Sequence, residues 1–182
     1  ITHHHFDHTG GVASLKAATG CRVIGPDNPS IADIDDVMTE GNEVTVLGYR
    51  FAVLEVPGHT LDHIAYYNEA HGTLFCGDTL FVGGCGRVFE GTFPMMQASL
   101  EKLSALPDTT KVFCTHEYTM ANLNFALKAD PSNVALKAFF NEDFIIPSPV
   151  VPNNNGSQLQ SYQGSALSLG GELNKLASNI AL

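Results

Sequence analysis

Basic residues are scarce in this chain. Its 182 residues carry 9 Lys+Arg against 19 Asp+Glu, a formal net charge of −10. Such a surface repels phosphates, which argues against nucleic acid and against an anionic membrane as partners. No apolar run approaches the roughly 20 residues needed to cross a bilayer, so a soluble protein is expected. Cysteine is sparse too. Cys21, Cys76, Cys85 and Cys114 form no CxxC pair and no disulfide-framework spacing. Cys76 and Cys114 sit in apolar runs and read as small core residues, and a reducing compartment fits best. No internal repeat is visible, and the chain opens at Ile1 with neither Met nor leader, so targeting signals are unreadable.

Against these absences, hydrophobic residues at 44% and charged residues at 15% describe a globular protein with a real core. Histidine is the one excess: four of the 8 fall at His3, His4, His5 and His8. An expression-tag remnant would be uninterrupted and followed by linker residues. This run instead passes through Phe6-Asp7-His8 into an apolar, helix-like stretch.

Helical spacing of Val12, Leu15 and Ala18 predicts a helix from Gly11 to a stop at Gly20. Cys21 to Gly25 is β-like. Between Glu43 and Val56, two β-rich runs broken at Gly48 predict a hairpin, and Ile64–Tyr67 with Thr73–Cys76 predict another. Met95–Leu106 reads as a helix, Lys111–Cys114 as a buried strand, and Tyr118 to about Phe140 as helical. After Pro147 the Pro, Asn and Ser/Gln-rich composition suggests a linker, with Leu173, Leu176 and Ile180 able to form a last short helix. Strand pairs followed by helices predict an α/β (α+β) layered domain with a helical C-terminal part.

The chemistry lies where His and Asp fall relative to those strands. His3 and His5, two apart, point the same way on an extended segment and can grip one ion, while Asp7 and His8 can turn toward a second. His59, Asp78 and His116 each emerge just past a predicted strand, so one sheet edge can gather them. Five His and two Asp are too many donors for one tetrahedral ion and divide into two sites sharing a carboxylate. Such a set suits zinc, iron or manganese better than calcium. A close metal pair lowers the pKa of a bridging water and polarises a substrate carbonyl. His4 alternates away from its neighbours, His63 has no partner pattern, and His71 falls in a hairpin turn; these three read as ordinary residues.

The string Thr2-His3-His4-His5-Phe6-Asp7-His8 resembles the THxHxDH signature of the metallo-β-lactamase superfamily. Pro57-Gly58-His59-Thr60, Gly77-Asp78-Thr79, Gly83-Gly84-Cys85-Gly86-Arg87 and Thr115-His116-Glu117-Tyr118-Thr119 narrow the likeness to the hydroxyacylglutathione hydrolases, or glyoxalases II. The resemblance runs from residue 1 to about residue 140. It implies an αββα sandwich lacking its first strands, with a partial catalytic domain over 1–118. A helical substrate-binding domain with a divergent polar tail would cover 119–182. It further implies His3, His5 and His59 on one divalent ion, Asp7, His8 and His116 on a second, and Asp78 bridging both, with Asp7 and Asp78 as catalytic carboxylates. The ions would be Zn2+, with Fe or Mn as alternatives.

The implied reaction is attack of a bridging hydroxide on the thioester of S-D-lactoylglutathione, giving D-lactate and glutathione in methylglyoxal detoxification. Arg87, Phe89 and Tyr118 fall on the family's substrate-contacting positions. A cytoplasmic monomer is expected, or a mitochondrial one if a lost N-terminus carried a transit peptide. The chain departs from the pattern at its start, at Asn141-Glu142-Asp143 where the family is basic, and at its end, so it reads as an N-terminally truncated fragment. Two rival readings are a one-iron glutathione persulfide dioxygenase and an inactive metal-binding remnant. Glu117 and Thr119 favour the hydrolase over the former, which usually carries HDY there.

Overall fold

The helical spacing that follows Gly11 forms where the sequence places it. The computed structural model describes residues 1–141 and the Leu167–Ser168 backbone; the readings at Glu142-Asp143, after Pro147 and at Leu173–Ile180 lie outside the described residues. A single turn, α1 (Phe6–Thr9), precedes α2 (Val12–Thr19), which Gly20 closes with φ 64° and an N–H bonded to the Lys16 carbonyl at 2.8 Å. β1 (Ile24–Pro26) and β2 (Asp36–Met38) pair in parallel as a small sheet.

β3 (Glu43–Val46) and β4 (Tyr49–Glu55) make the first predicted hairpin. Leu47 and Gly48 at its tip have φ of 51° and 84°, the two left-handed residues of a tight turn that follows strand twist. β5 (Ile64–Asn68) and β6 (Thr73–Gly77) make the second hairpin. β7 (Leu80–Phe81) and β8 (Gly84–Cys85) form a two-residue ladder that apolar periodicity does not announce.

Helix α3 (Phe93–Ser104) starts two residues before the predicted Met95. The Thr92 hydroxyl caps it by accepting the Met95 N–H at 3.3 Å, and Pro94 fits its first turn. The helix then crosses over to β9 (Lys111–Cys114), which lies parallel to β6. The predicted helical stretch beyond Tyr118 is two helices, α4 (Thr119–Ala129) and α5 (Val134–Asn141). Asp130 ends the first by taking the Ser132 hydroxyl at 2.8 Å, and Asn133 Oδ1 caps the second through the Leu136 N–H at 2.9 Å. Leu123, Ala126 and Leu136 bury the contact between them. β10 (Leu167–Ser168) joins β9 antiparallel, completing a sheet ordered β10-β9-β6-β5-β4-β3.

One face of this sheet carries the core: Val56, Ala65, Leu74, Cys76 and Val112 meet Met96, Leu100 and Leu103 of α3. Cys76 is wholly buried as expected, Cys114 only partly. The opposite face carries a row of rings, Phe51, Phe75 and Phe113, with centroids 5.9 and 5.2 Å apart. Strands β4, β6 and β9 run the same way, so their C-terminal ends share one edge. In crossover-connected sheets that edge is where ligand-holding side chains gather. No helix among the described residues is long and apolar enough to cross a membrane.

Candidate metal centre

The His-rich opening is laid along β5 toward that edge. The Ile64 N–H donates to the Thr2 carbonyl at 2.9 Å, and the Tyr66 hydroxyl to the Ile1 carbonyl at 2.8 Å. His5 is still extended, with φ −59° and ψ 144°, and its carbonyl receives the His8 and Thr9 N–H groups as α1 begins. The turn of helix swings Asp7 and His8 away from the line of His3 and His5, which is how one short string serves two sites.

Ring nitrogens of His3, His5 and His59 lie within 4.8 Å of one another, and so do ligand atoms of Asp7, His8 and His116. Asp78, one residue past β6, stands between the two trios. Its Oδ1 is 3.2 Å from His8 Nε2, and its Oδ2 is 3.2 Å from His116 Nε2 and 3.5 Å from His59 Nε2. Asp7 Oδ2 lies 3.3 Å from His116 Nε2. All seven predicted ligands therefore converge.

The donor set fits divalent cations. His3 Nε2 is buried with no hydrogen-bond partner, an arrangement that is costly unless something accepts its lone pair. Burial, together with the neighbouring His63 and His8 imidazoles, pushes His3 well below the ordinary imidazole range, and burial lowers His59; both rings are neutral near pH 7, the form that can bind a cation. His59 Nδ1 donates to the Arg87 carbonyl at 2.7 Å, which leaves Nε2 unprotonated and aimed at the centre. Burial raises the Asp78 carboxyl, but His8, the Thr115 hydroxyl and His116 outweigh it and hold the group well below the usual carboxylate range.

Phe89 lies 5.3 Å from the His59 ring and 5.6 Å from His5, bordering the first trio. The Arg87 guanidinium sits 5.2 Å over the Phe89 ring. Tyr118 borders the second trio, stacked on His116 at 5.4 Å. His4 points away from both, toward Asp62 and Glu90.

His63 is the residue that spacing missed. It is fully buried, stacks on His3 at 4.6 Å, and its Nε2 accepts the backbone N–H of Asp78 at 3.0 Å. Burial pushes it down to about 3, so it stays neutral and can accept there while Nδ1–H faces the Thr79 hydroxyl at 3.3 Å. The available signal was its place at the start of β5, on the ligand edge. A Cβ on Gly77 (φ 52°) would fall 2.6 Å from His63 Cε1, so that glycine is set by both conformation and space. His63→Leu should cost about 1–3 kcal/mol by orphaning the Asp78 N–H. A urea unfolding midpoint unchanged from wild type would refute this.

A sheet backed by a crossover helix gathers these His and Asp side chains along its C-terminal edge, and the family model of the metallo-beta-lactamase superfamily matches residues 1–116. Over 181 residues the chain is 50% identical to a hydroxyacylglutathione hydrolase of Chromohalobacter salexigens, covering 97% of this chain and 71% of that protein. It is 57% identical over 139 residues to one from Idiomarina loihiensis, covering 76% of this chain and 54% of that protein. The chain belongs to the hydroxyacylglutathione hydrolase family of the metallo-beta-lactamase superfamily. It spans about half the length of the first curated relatives it matches. Among solved structures, TTHA1623 in a di-iron-bound form superposes with a TM-score of 0.53 at 30% identity, over 64% of this chain and 67% of that one. The family binds divalent metal, and this chain carries the side chains to do so.

Proposed function

We propose that the protein hydrolyses the thioester of an S-2-hydroxyacylglutathione such as S-D-lactoylglutathione, releasing a 2-hydroxy acid and glutathione. The observation that carries this reading is the pair of ligand trios with one carboxylate reaching both. The substrate class is supported by the relatives' identity as hydroxyacylglutathione hydrolases. His3, His5 and His59 would hold one divalent ion, Asp7, His8 and His116 a second, and Asp78 both. Zn2+ suits this imidazole-rich set, and Fe or Mn suit it too; the di-iron form of TTHA1623 is in keeping with two ions. Ions bound there supply a lowered pKa for water and polarise the thioester carbonyl.

The protein's own groups then have defined tasks. His63 and Thr115 hold the Asp78 carboxylate in register. Arg87 offers a cation beside the Phe89 face for the carboxylates of glutathione, and Tyr118 flanks the opposite side of the centre. Residues 1–118 form the catalytic part, and the segment from 119 begins the helical part that binds substrate.

The test uses the full-length protein, with metal content and thioester hydrolysis measured together. On chelation, thiol release should fall by more than the about 10–100-fold that losing an outer partner of a metal ligand costs, and return with Zn2+. Hydrolysis that persists after chelation would overturn the reading. So would oxygen uptake with glutathione persulfide in the absence of thioester hydrolysis.

A further inference from the structure

His4 lies between two ligands yet joins neither trio. Its Nδ1 bonds to Asp62 Oδ1 at 2.9 Å, and its Nε2 lies 3.1 Å from Glu90 Oε1. The other oxygen of each carboxylate is also engaged. Asn28 Nδ2 donates to Asp62 Oδ2 at 2.9 Å, and the Leu61 N–H donates to Glu90 Oε2 at 3.0 Å. With those oxygens already paired to protein donors, the cluster is a hydrogen-bonded bridge and not a further cation site.

The bridge joins pieces that are distant in sequence. Glu90 closes the loop that carries Arg87 and Phe89, and Leu61 follows the loop of His59. Backbone bonds already run between these loops: Phe89 N–H to the His59 carbonyl and Gly91 N–H to the Gly58 carbonyl, both 3.2 Å. Among the described residues no backbone bond ties these loops to the string bearing His3 and His5; His59 Nε2 meets His5 Nδ1 at 3.0 Å, and His4 is the side chain of the string that reaches Glu90. An exposed ion pair would be worth little, but the Asp62 side chain is only 7% exposed and that of His4 22%, so water competes weakly there; Glu90, at 37%, is the more open end and is held also by the Leu61 N–H.

We infer that His4 is a positioning residue: through Asp62 and Glu90 it holds the Arg87–Phe89 loop in register with the metal-ligand string, setting how the glutathione part of the substrate is received. The inference rests on the hydrolase reading for its substrate and on the bridge alone for its structural content.

The decisive variant is Glu90→Ala, with Glu90→Gln as the conservative partner and His4→Gln as the other end of the bridge. Amide hydrogen exchange at Phe89 and Gly91 should accelerate about tenfold in Glu90→Ala and in His4→Gln, equivalent to about 1.4 kcal/mol of lost closure. Glu90→Gln should recover most of the protection. The double variant should cost less than the sum of the two single ones, because both cut the His4–Glu90 link. Bound metal should stay at the wild-type level in Glu90→Ala, while KM for S-D-lactoylglutathione rises about tenfold and kcat changes less than twofold.

Unchanged exchange in Glu90→Ala overturns the inference. So does a loss of metal with lowered kcat at constant KM, which would place the cluster's action on the ligands themselves. If wild type fails to hydrolyse the thioester, the functional reading falls, and the exchange data still decide on the bridge.

Discussion

Asp78→Ala is expected to strip the protein of bound divalent metal and to lower thioester hydrolysis by well over a hundredfold. Asp78 is the carboxylate that reaches both trios, its oxygens lying 3.2 Å from His8 and His116 of the second and 3.5 Å from His59 of the first. Removing an outer partner of a metal ligand already costs about 10–100-fold, and a ligand shared by two sites should cost more. The loss also leaves His8 and His116 facing one another without the charge between them. Asp78→Asn should fail as well, since an amide keeps the shape but not the anion. Metal content by elemental analysis and initial rates of thiol release check both variants. Wild-type hydrolysis in Asp78→Ala would sink the shared-ligand assignment.

Gly86→Ala should be nearly as damaging, for a steric reason. A Cβ at Gly86 would sit 1.8 Å from the Asp78 carbonyl oxygen and 3.1 Å from His59 Nδ1. The opposing atom is backbone, so no rotamer change relieves the overlap. The Gly86 N–H also bonds to the Thr79 carbonyl at 3.2 Å, which anchors the loop beside the Asp78 turn. Overpacking a tight site typically costs about 1–3 kcal/mol, and this rigid clash should reach the top of that range or exceed it. Against a typical stability of about 5–15 kcal/mol, such a loss moves a denaturation midpoint visibly. A midpoint within error of wild type, with metal content intact, would refute the account.

The gathering of these side chains was legible because metal chemistry restricts residue type and strand ends restrict position. His59, Asp78 and His116 could be read off as the residues following β-rich runs, and those runs are strands β4, β6 and β9. The Gly48 hairpin was legible because a two-residue turn demands particular backbone angles. Three features were not. His63 acts through a backbone N–H, and such a partner leaves no spacing pattern in side chains. The division between α4 and α5 depends on side-chain caps at Asp130 and Asn133, which apolar periodicity passes over. The β-like run read at Cys21 to Gly25 is strand only at Ile24–Pro26, and its partner β2 and the β7–β8 ladder are too short, at two or three residues per strand, for alternation to register.

The spread of the ligands along the chain also has a kinetic meaning. Residues 3–8, 59, 78 and 116 meet only after the β4–β5 and β5–β6 pairings and the α3 crossover are in place. Closing such long segments costs chain entropy before any contact rewards it, and folding slows accordingly. The centre is thus a late product of folding. Ions offered to the unfolded chain meet scattered imidazoles, whereas ions offered to the folded sheet meet a site already assembled.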